Sequence, residues 1–139
     1  MADPAALTAL IAEHRRGVLA TLKRDGRPQL SNIAYGVEGD VVRISVTADR
    51  AKTRNLARDP RASLHVTSAD FWRWAVAEGT AELSAVTVEP GDAAGLELLA
   101  LHDAVQSSPH PDPAEFFAAM VQDRRQVVRL RIERLYGQA

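Results

Sequence analysis

The spacing of apolar residues changes period several times along the chain, and each change marks an element. Leu7, Leu10 and Ile11 recur at helical spacing behind Asp3-Pro4, a good cap followed by a proline suited to a first helical turn, so a short helix is expected up to Gly17. From residue 18 to 47 the period falls to two. Residues 18–23 lead into Asp25-Gly26, a dipeptide that tolerates positive φ and closes hairpins. A second strand over 29–38 puts Ser31, Ile33, Tyr35 and Val37 on one face, and Gly39-Asp40 turns the chain into a third over 41–46. Residues 49–58 read as a helix closed by Asp59-Pro60, because proline disfavours helical geometry in the residue before it.

Alternation resumes over 61–68 and again over 74–83, where Gly79 marks a bulge or bend. Residues 85–92 are loop-like. Leu96, Leu98, Leu99, Leu101 and Val105 form a helical apolar face that stops at Ser108-Pro109-His110-Pro111. Asp112-Pro113-Ala114-Glu115 has the form of a capping box and opens a helix carrying Phe116, Phe117, Met120 and Val121. Residues 126–136 alternate Val128, Leu130 and Ile132 against Arg129, Arg131 and Glu133, a strand with one wet face. About six antiparallel strands with short helices between them predict a mainly β fold, one domain over residues 1–139, closed into a small barrel that leaves no open edge. Two-residue turns between the first three strands exclude parallel crossovers.

Composition narrows the class further. The chain has 139 residues, 17 Lys+Arg against 18 Asp+Glu, a formal charge of -1 and no cysteine. A disulfide framework, a thiolate metal site and a thiol nucleophile are thereby excluded, and a reducing, cytoplasmic setting is the expectation. Residues 1–4 hold an acid and no basic leader, and no apolar run approaches the ~20 residues that span a bilayer, so no membrane partner is expected. Balanced charge likewise argues against nucleic acid, which needs a broad positive field.

Charge is nevertheless unevenly placed. Between Arg50 and Arg61 five cations, Arg50, Lys52, Arg54, Arg58 and Arg61, stand with one acid, Asp59. Arg50 and Lys52 fall in a first helical turn, where the macrodipole makes added positive charge unfavourable by about 0.3–1 kcal/mol each. A bound anion would resolve that conflict, since free backbone N–H groups and paired cations at a helix start make a phosphate site; the plain alternative is a solvated Arg-rich face balanced by Asp49 and Asp59. His14, His65, His102 and His110 lie in separate elements without metal-ligand spacing, so no metal is expected. Neither a nucleophile elbow, a P-loop nor a dinucleotide fingerprint follows any strand. Phe71-Trp72-Arg73-Trp74 holds both tryptophans, fit to wall a flat ligand or to pack in a core or subunit contact.

Four stretches carry a resemblance: residues 17–32, 50–63, 75–83 and 123–137, including Arg50-Ala-Lys-Thr-Arg-Asn-Leu-Ala-Arg-Asp-Pro. They resemble the deazaflavin (F420)-dependent oxidoreductases of the pyridoxamine-phosphate-oxidase-like, FMN-binding split-barrel family, over nearly the whole chain. The resemblance implies a six-stranded split barrel, a homodimer with cofactor clefts at the interface, and coenzyme F420 in preference to FMN. It places Arg50, Lys52, Arg54 and Asn55 around the cofactor phosphate. Gln29, Leu30, Ser31 and Asn32 would border the ring, Ile44, Ser45 and Val46 would line its other edge, and Trp72 and Trp74 would come from the cleft wall or the partner subunit. The implied activity is hydride transfer from reduced deazaflavin to a conjugated, electron-poor small molecule, with Ser31 and Tyr35 as candidate proton donors. The alternative is an F420 or FMN carrier without turnover of its own. Pyridoxamine phosphate oxidases proper end in a longer basic tail, so their own activity is not expected.

Overall fold

The computed structural model describes residues 3–139; Met1 and Ala2, on which the expectation about a leader partly rests, lie outside it. Among the described residues the elements run α1 (Pro4–Glu13), β1 (Arg16–Leu22), β2 (Pro28–Ala34), β3 (Gly36–Glu38), β4 (Val41–Thr47), α2 (Ala51–Arg58), β5 (Arg61–Thr67), β6 (Trp74–Leu83), α3 (Ala93–Gln106), α4 (Pro113–Gln122) and β7 (Arg125–Gln138). No helix among them is long and apolar enough to cross a membrane.

The strands form one antiparallel sheet in the order β2-β1-β5-β6-β7-β4-β3. The expected second strand is present but broken at Tyr35, which explains seven segments where six were predicted. Its first part, β2, pairs with β1 at one margin of the sheet; its second part, β3, pairs with β4 at the other. A single residue therefore joins the two margins and curls the sheet into a split barrel. Tyr35 is fully buried, its N–H donates to the Arg15 carbonyl at 2.8 Å and its hydroxyl donates to the Ile11 carbonyl at 2.6 Å. The corner is thus tied to the end of α1.

Alternation places Leu19, Ile44, Val46, Leu64, Val66, Val128 and Leu130 inside the barrel, joined there by Leu7, Leu10 and Ile11 of α1. A second, smaller cluster of Leu98, Phe116 and Val127 lies on the other side of β7, under α3 and α4. Val127 and Val128 are both fully buried, so β7 is covered on both faces at this point. Gly79 carries the expected bulge: it pairs with Ile132 while Glu78 pairs with Arg134, leaving Glu133 as the extra residue on β7.

Several boundaries differ from the sequence expectation. Helix α1 ends at His14, not Gly17, and Gly17 lies in β1, where a Cβ would come within 2.7 Å of the His65 carbonyl oxygen. Helix α2 starts at Ala51 with Arg50 as an N-cap that makes no side-chain bond. Leu96 faces solvent, because α3 buries the stripe through Ala94, Leu98 and Leu101 instead. Only half of the capping box at α4 forms: Asp112 accepts from the Glu115 N–H at 3.2 Å, but the Asp112 N–H donates to His110 Nδ1 at 2.9 Å.

Candidate functional site

A cleft of about 430 Å³ opens between the outer face of the barrel and the α3–α4 pair. Its floor comes from Asn32, Ile33 and Ala34 of β2 and Ser45 of β4. Leu98, Leu101 and Val105 of α3 with Phe116 and Met120 of α4 make an apolar wall; His102 and Gln106 add polar groups to it. Lys52, from the first turn of α2, and Arg125, from the start of β7, close one end. Among the described residues no carboxylate lines the cleft.

That end is built to meet negative charge. The Lys52 amine is drawn below the ordinary lysine range, first by burial and then by the charges of Arg50 and Arg125. Arg125 Nη1 donates to Ser45 Oγ at 3.3 Å, while its Nε is buried without a hydrogen-bond partner; the Asp123 carboxylate stands 3.8 Å from that Nε, beyond bonding distance. A buried donor left open is costly unless a ligand fills it. The start of α2 also lacks a side-chain cap, so its first N–H groups are free of side-chain acceptors. A phosphate at one end and a flat, largely apolar ring along the α3–α4 wall match this donor set.

Of the thirteen residues expected to bind cofactor, Asn32, Ser45 and Lys52 line the cleft together. Arg50, the N-cap of α2, and Arg54 within it are exposed, Arg50 close enough to depress Lys52. Asn55 is placed otherwise than expected: it is buried, its amide donates to Thr21 Oγ1 at 3.1 Å and its oxygen accepts from Arg58 at 3.2 Å. Ile44 and Val46 require a correction as side-chain contacts, since strand alternation turns both into the barrel core and only Ser45 between them outward. Gln29 and Ser31 are half-buried on the face of β2 opposite Leu30 and Asn32, and Leu30 is exposed.

Trp74 lies between His65 and Tyr136, with ring centroids 6.0 Å from each. His65 borders a shallower groove of about 440 Å³ that shares Asn32, Ile33 and Ala34 with the cleft. Trp72 is 71% exposed beside Phe71, whose φ of 79° is unusual for a bulky residue. Asp70 holds this turn, accepting from Ser68 Oγ and from the Trp72 N–H. Of the candidate proton donors, Tyr35 is removed from any ligand by its bond to Ile11, and burial pushes its phenol above the ordinary range. Ser31 does not line the cleft. Arg125, His102 and the α3–α4 wall were not singled out from sequence as site residues; the available signal was the apolar stripe of α3 and the cation opening the last strand.

Comparison with known proteins agrees with the split-barrel fold. Residues 4–139 match the family described as pyridoxamine 5'-phosphate oxidase. Among solved structures, an F420 reductase is similar at 24% identity and a TM-score of 0.74, over 96% of this chain and 98% of that one. A conserved hypothetical protein from Mycobacterium tuberculosis is similar at 26% identity and a TM-score of 0.76, over 99% of this chain and 85% of that one. A heme binding protein from Mycobacterium smegmatis is similar at 28% identity and a TM-score of 0.67, over 99% of this chain and 55% of that one. With the curled sheet closed at Tyr35 and a family match from Pro4 to the last residue, the chain belongs to the pyridoxamine 5'-phosphate oxidase family.

Proposed function

We propose that this protein is an oxidoreductase that binds deazaflavin coenzyme F420 in the α3–α4 cleft and uses it to reduce a conjugated, electron-poor small molecule. The observation that carries the reading is the acid-free cleft whose closed end joins Lys52, Arg125 and the uncapped start of α2. Lys52 and Arg125 would hold the cofactor phosphate through charge-assisted hydrogen bonds, and Ser45 and Asn32 would border the ring. When bound, the reduced deazaflavin supplies a hydride. The chain supplies orientation and a wall that excludes water.

The exposed Phe71 and Trp72 favour a homodimer in which this turn covers the partner's cleft, since large aromatics are enriched at such contacts. Light scattering on the purified chain should give twice the 15.1 kDa of one protomer. The absence of cysteine favours a reducing, cytoplasmic location.

Fluorescence titration with F420 and with FMN tests the assignment. Saturable F420 binding that competes with inorganic phosphate is expected; tight FMN binding with none for the deazaflavin would overturn it. Turnover of a panel of enones and quinones by the loaded protein separates a reductase from a carrier.

A further inference from the structure

Adding a hydride to a conjugated acceptor leaves an anion that must be protonated, so a reductase of this kind needs a proton source lining the cleft and in exchange with water. Lys52 and Arg125 form the anion end, the Ser45 hydroxyl accepts from Arg125, and the amides of Asn32 and Gln106 do not ionise. Among the described residues His102 is the one imidazole in the lining, and imidazole is the side chain able both to give and to regain a proton near neutral pH.

We propose that His102 is the proton donor to the substrate, a conjugated carbonyl compound; this rests on the deazaflavin reading above. The ring packs between the Phe116 and His110 rings. Its Nδ1 faces Asp103 Oδ1 at 3.4 Å, and its centroid lies 5.2 Å from the Phe116 ring and 5.0 Å from the His110 ring. Asp103 is itself fixed, because the same oxygen accepts the His110 N–H at 2.9 Å. His110 in turn uses Nδ1 to accept the Asp112 N–H, so it supports the stack and does not line the cleft. With Nδ1 turned to a carboxylate, Nε2 is the nitrogen left for a ligand, an arrangement in which the carboxylate orients the imidazole. The His102 side chain is 33% exposed, which lets water return the proton.

Asp103 and His110 stand beside the ring, Lys52 from α2 and Arg125 from β7 share its lining, and α4, β2 and β4 present Phe116, Met120, Asn32 and Ser45. The bound cofactor would supply the hydride that becomes a C–H bond at the substrate β-carbon, which would leave the displaced π pair as an enolate on the substrate. The Nε2–H bond of His102 then breaks as a C–H bond forms at the α-carbon. The substrate has gained one hydride and one proton, two electrons and two protons in all, and neutral His102 is reprotonated by solvent.

His102→Gln, which keeps size and polarity, is tested with F420 and cyclohex-2-enone. We expect F420 still to bind saturably, kcat lower by about 10²–10⁴-fold, a far larger effect than any on F420 affinity or KM, and loss of the alkaline limb of the pH profile. As a readout independent of turnover, histidine-labelled NMR should show the His102 ring signals shifting when enone is added to the oxidised F420 complex, while those of His14 do not. Asp103→Asn should keep activity at low pH and move the alkaline limb to lower pH, the mark of a positioning residue. Normal F420 binding with turnover of His102→Gln within threefold of the parent, or with unmoved His102 signals, overturns the donor assignment alone. Failure of the parent chain to bind F420 overturns both it and the cofactor reading.

Discussion

Glu97 of α3 takes Arg129 of β7 with both carboxylate oxygens: Arg129 Nη2 donates to Oε1 at 2.6 Å and Nε donates to Oε2 at 2.8 Å. Arg43, the register partner of Arg129 on β4, adds its own Nε to Oε2 at 3.1 Å. The helix that walls the cleft is therefore clamped to the outside of the barrel by one side chain bridging two strands.

Replacing Glu97 should loosen that wall. The hydrogen bond from Arg129, followed by that from Arg43, holds the Glu97 carboxyl below the usual carboxylate range against an opposing desolvation cost. A depressed carboxyl contributes stability that is present above its unfolded value and lost as pH falls through the folded one. Glu97→Gln is expected to lower stability at neutral pH by about 1–2 kcal/mol, given the partial exposure of both partners, seen as a lower urea midpoint at unchanged slope. The difference from the parent chain should shrink as pH is lowered; a constant difference down to acid pH would assign the loss to packing.

Asn55 belongs to the fold in a way its position in the cationic stretch does not reveal. Its amide spans α2 and β1 through Thr21, and its oxygen receives Arg58. Asn55→Ala should therefore cost about 1–3 kcal/mol by stranding the buried Thr21 hydroxyl, while changing F420 affinity less than twofold in protein that remains folded. A large affinity loss with unchanged melting temperature would return Asn55 to the binding site.

Elements with a strong local pattern were legible from sequence: the helix behind Asp3-Pro4, the hairpin at Asp25-Gly26, the alternating strands and the bulge at Gly79 all stand where periodicity and turn chemistry put them. Tyr35 shows where that reading stops. Apolar alternation runs unbroken through it, and the break exists only because its two flanking segments find partners at opposite margins of the sheet, a relationship no local window contains. The site divides the same way. Lys52 announced itself by conflict with the helix dipole, whereas Arg125 and His102 reach the cleft through tertiary packing of β7 and α3. Ile44 and Val46 were misplaced because nearness in sequence to Ser45 means the opposite face of a strand.

Gly79 offers a sharp test of the bulge. A Cβ there would overlap the Arg131 carbonyl, a backbone group in the central pairing of β6 with β7 that cannot swing aside. Gly79→Ala should destabilise by about 1–3 kcal/mol or more, the range for forcing atoms into a filled space, measured as a drop in melting temperature. A melting temperature equal to that of the parent would show that the bulge can migrate along β7.

Lys52 should separate ligand charge from fold charge. Its amine is depressed by burial and by two neighbouring cations, so its protonated form is less favourable in the folded chain than in the unfolded one. For a base shifted this way the cost falls on the folded state below its own value and is relieved as pH rises past it. Lys52→Met, which keeps the buried stem and removes the charge, should leave stability at neutral pH unchanged or raised. The same substitution should weaken F420 binding by about 1.5–3 kcal/mol, the worth of a charge-assisted hydrogen bond. A bound phosphate reverses the shift, drawing the amine back toward the ordinary range, so binding should take up protons and the parent chain's affinity should fall with rising pH before free lysine would deprotonate. Isothermal titration in buffers of different ionisation enthalpy reads that proton uptake directly. Binding without proton uptake at any pH, together with a Lys52→Met variant of unaltered affinity, would make Lys52 part of a solvated basic face and leave Arg125 as the anion's partner.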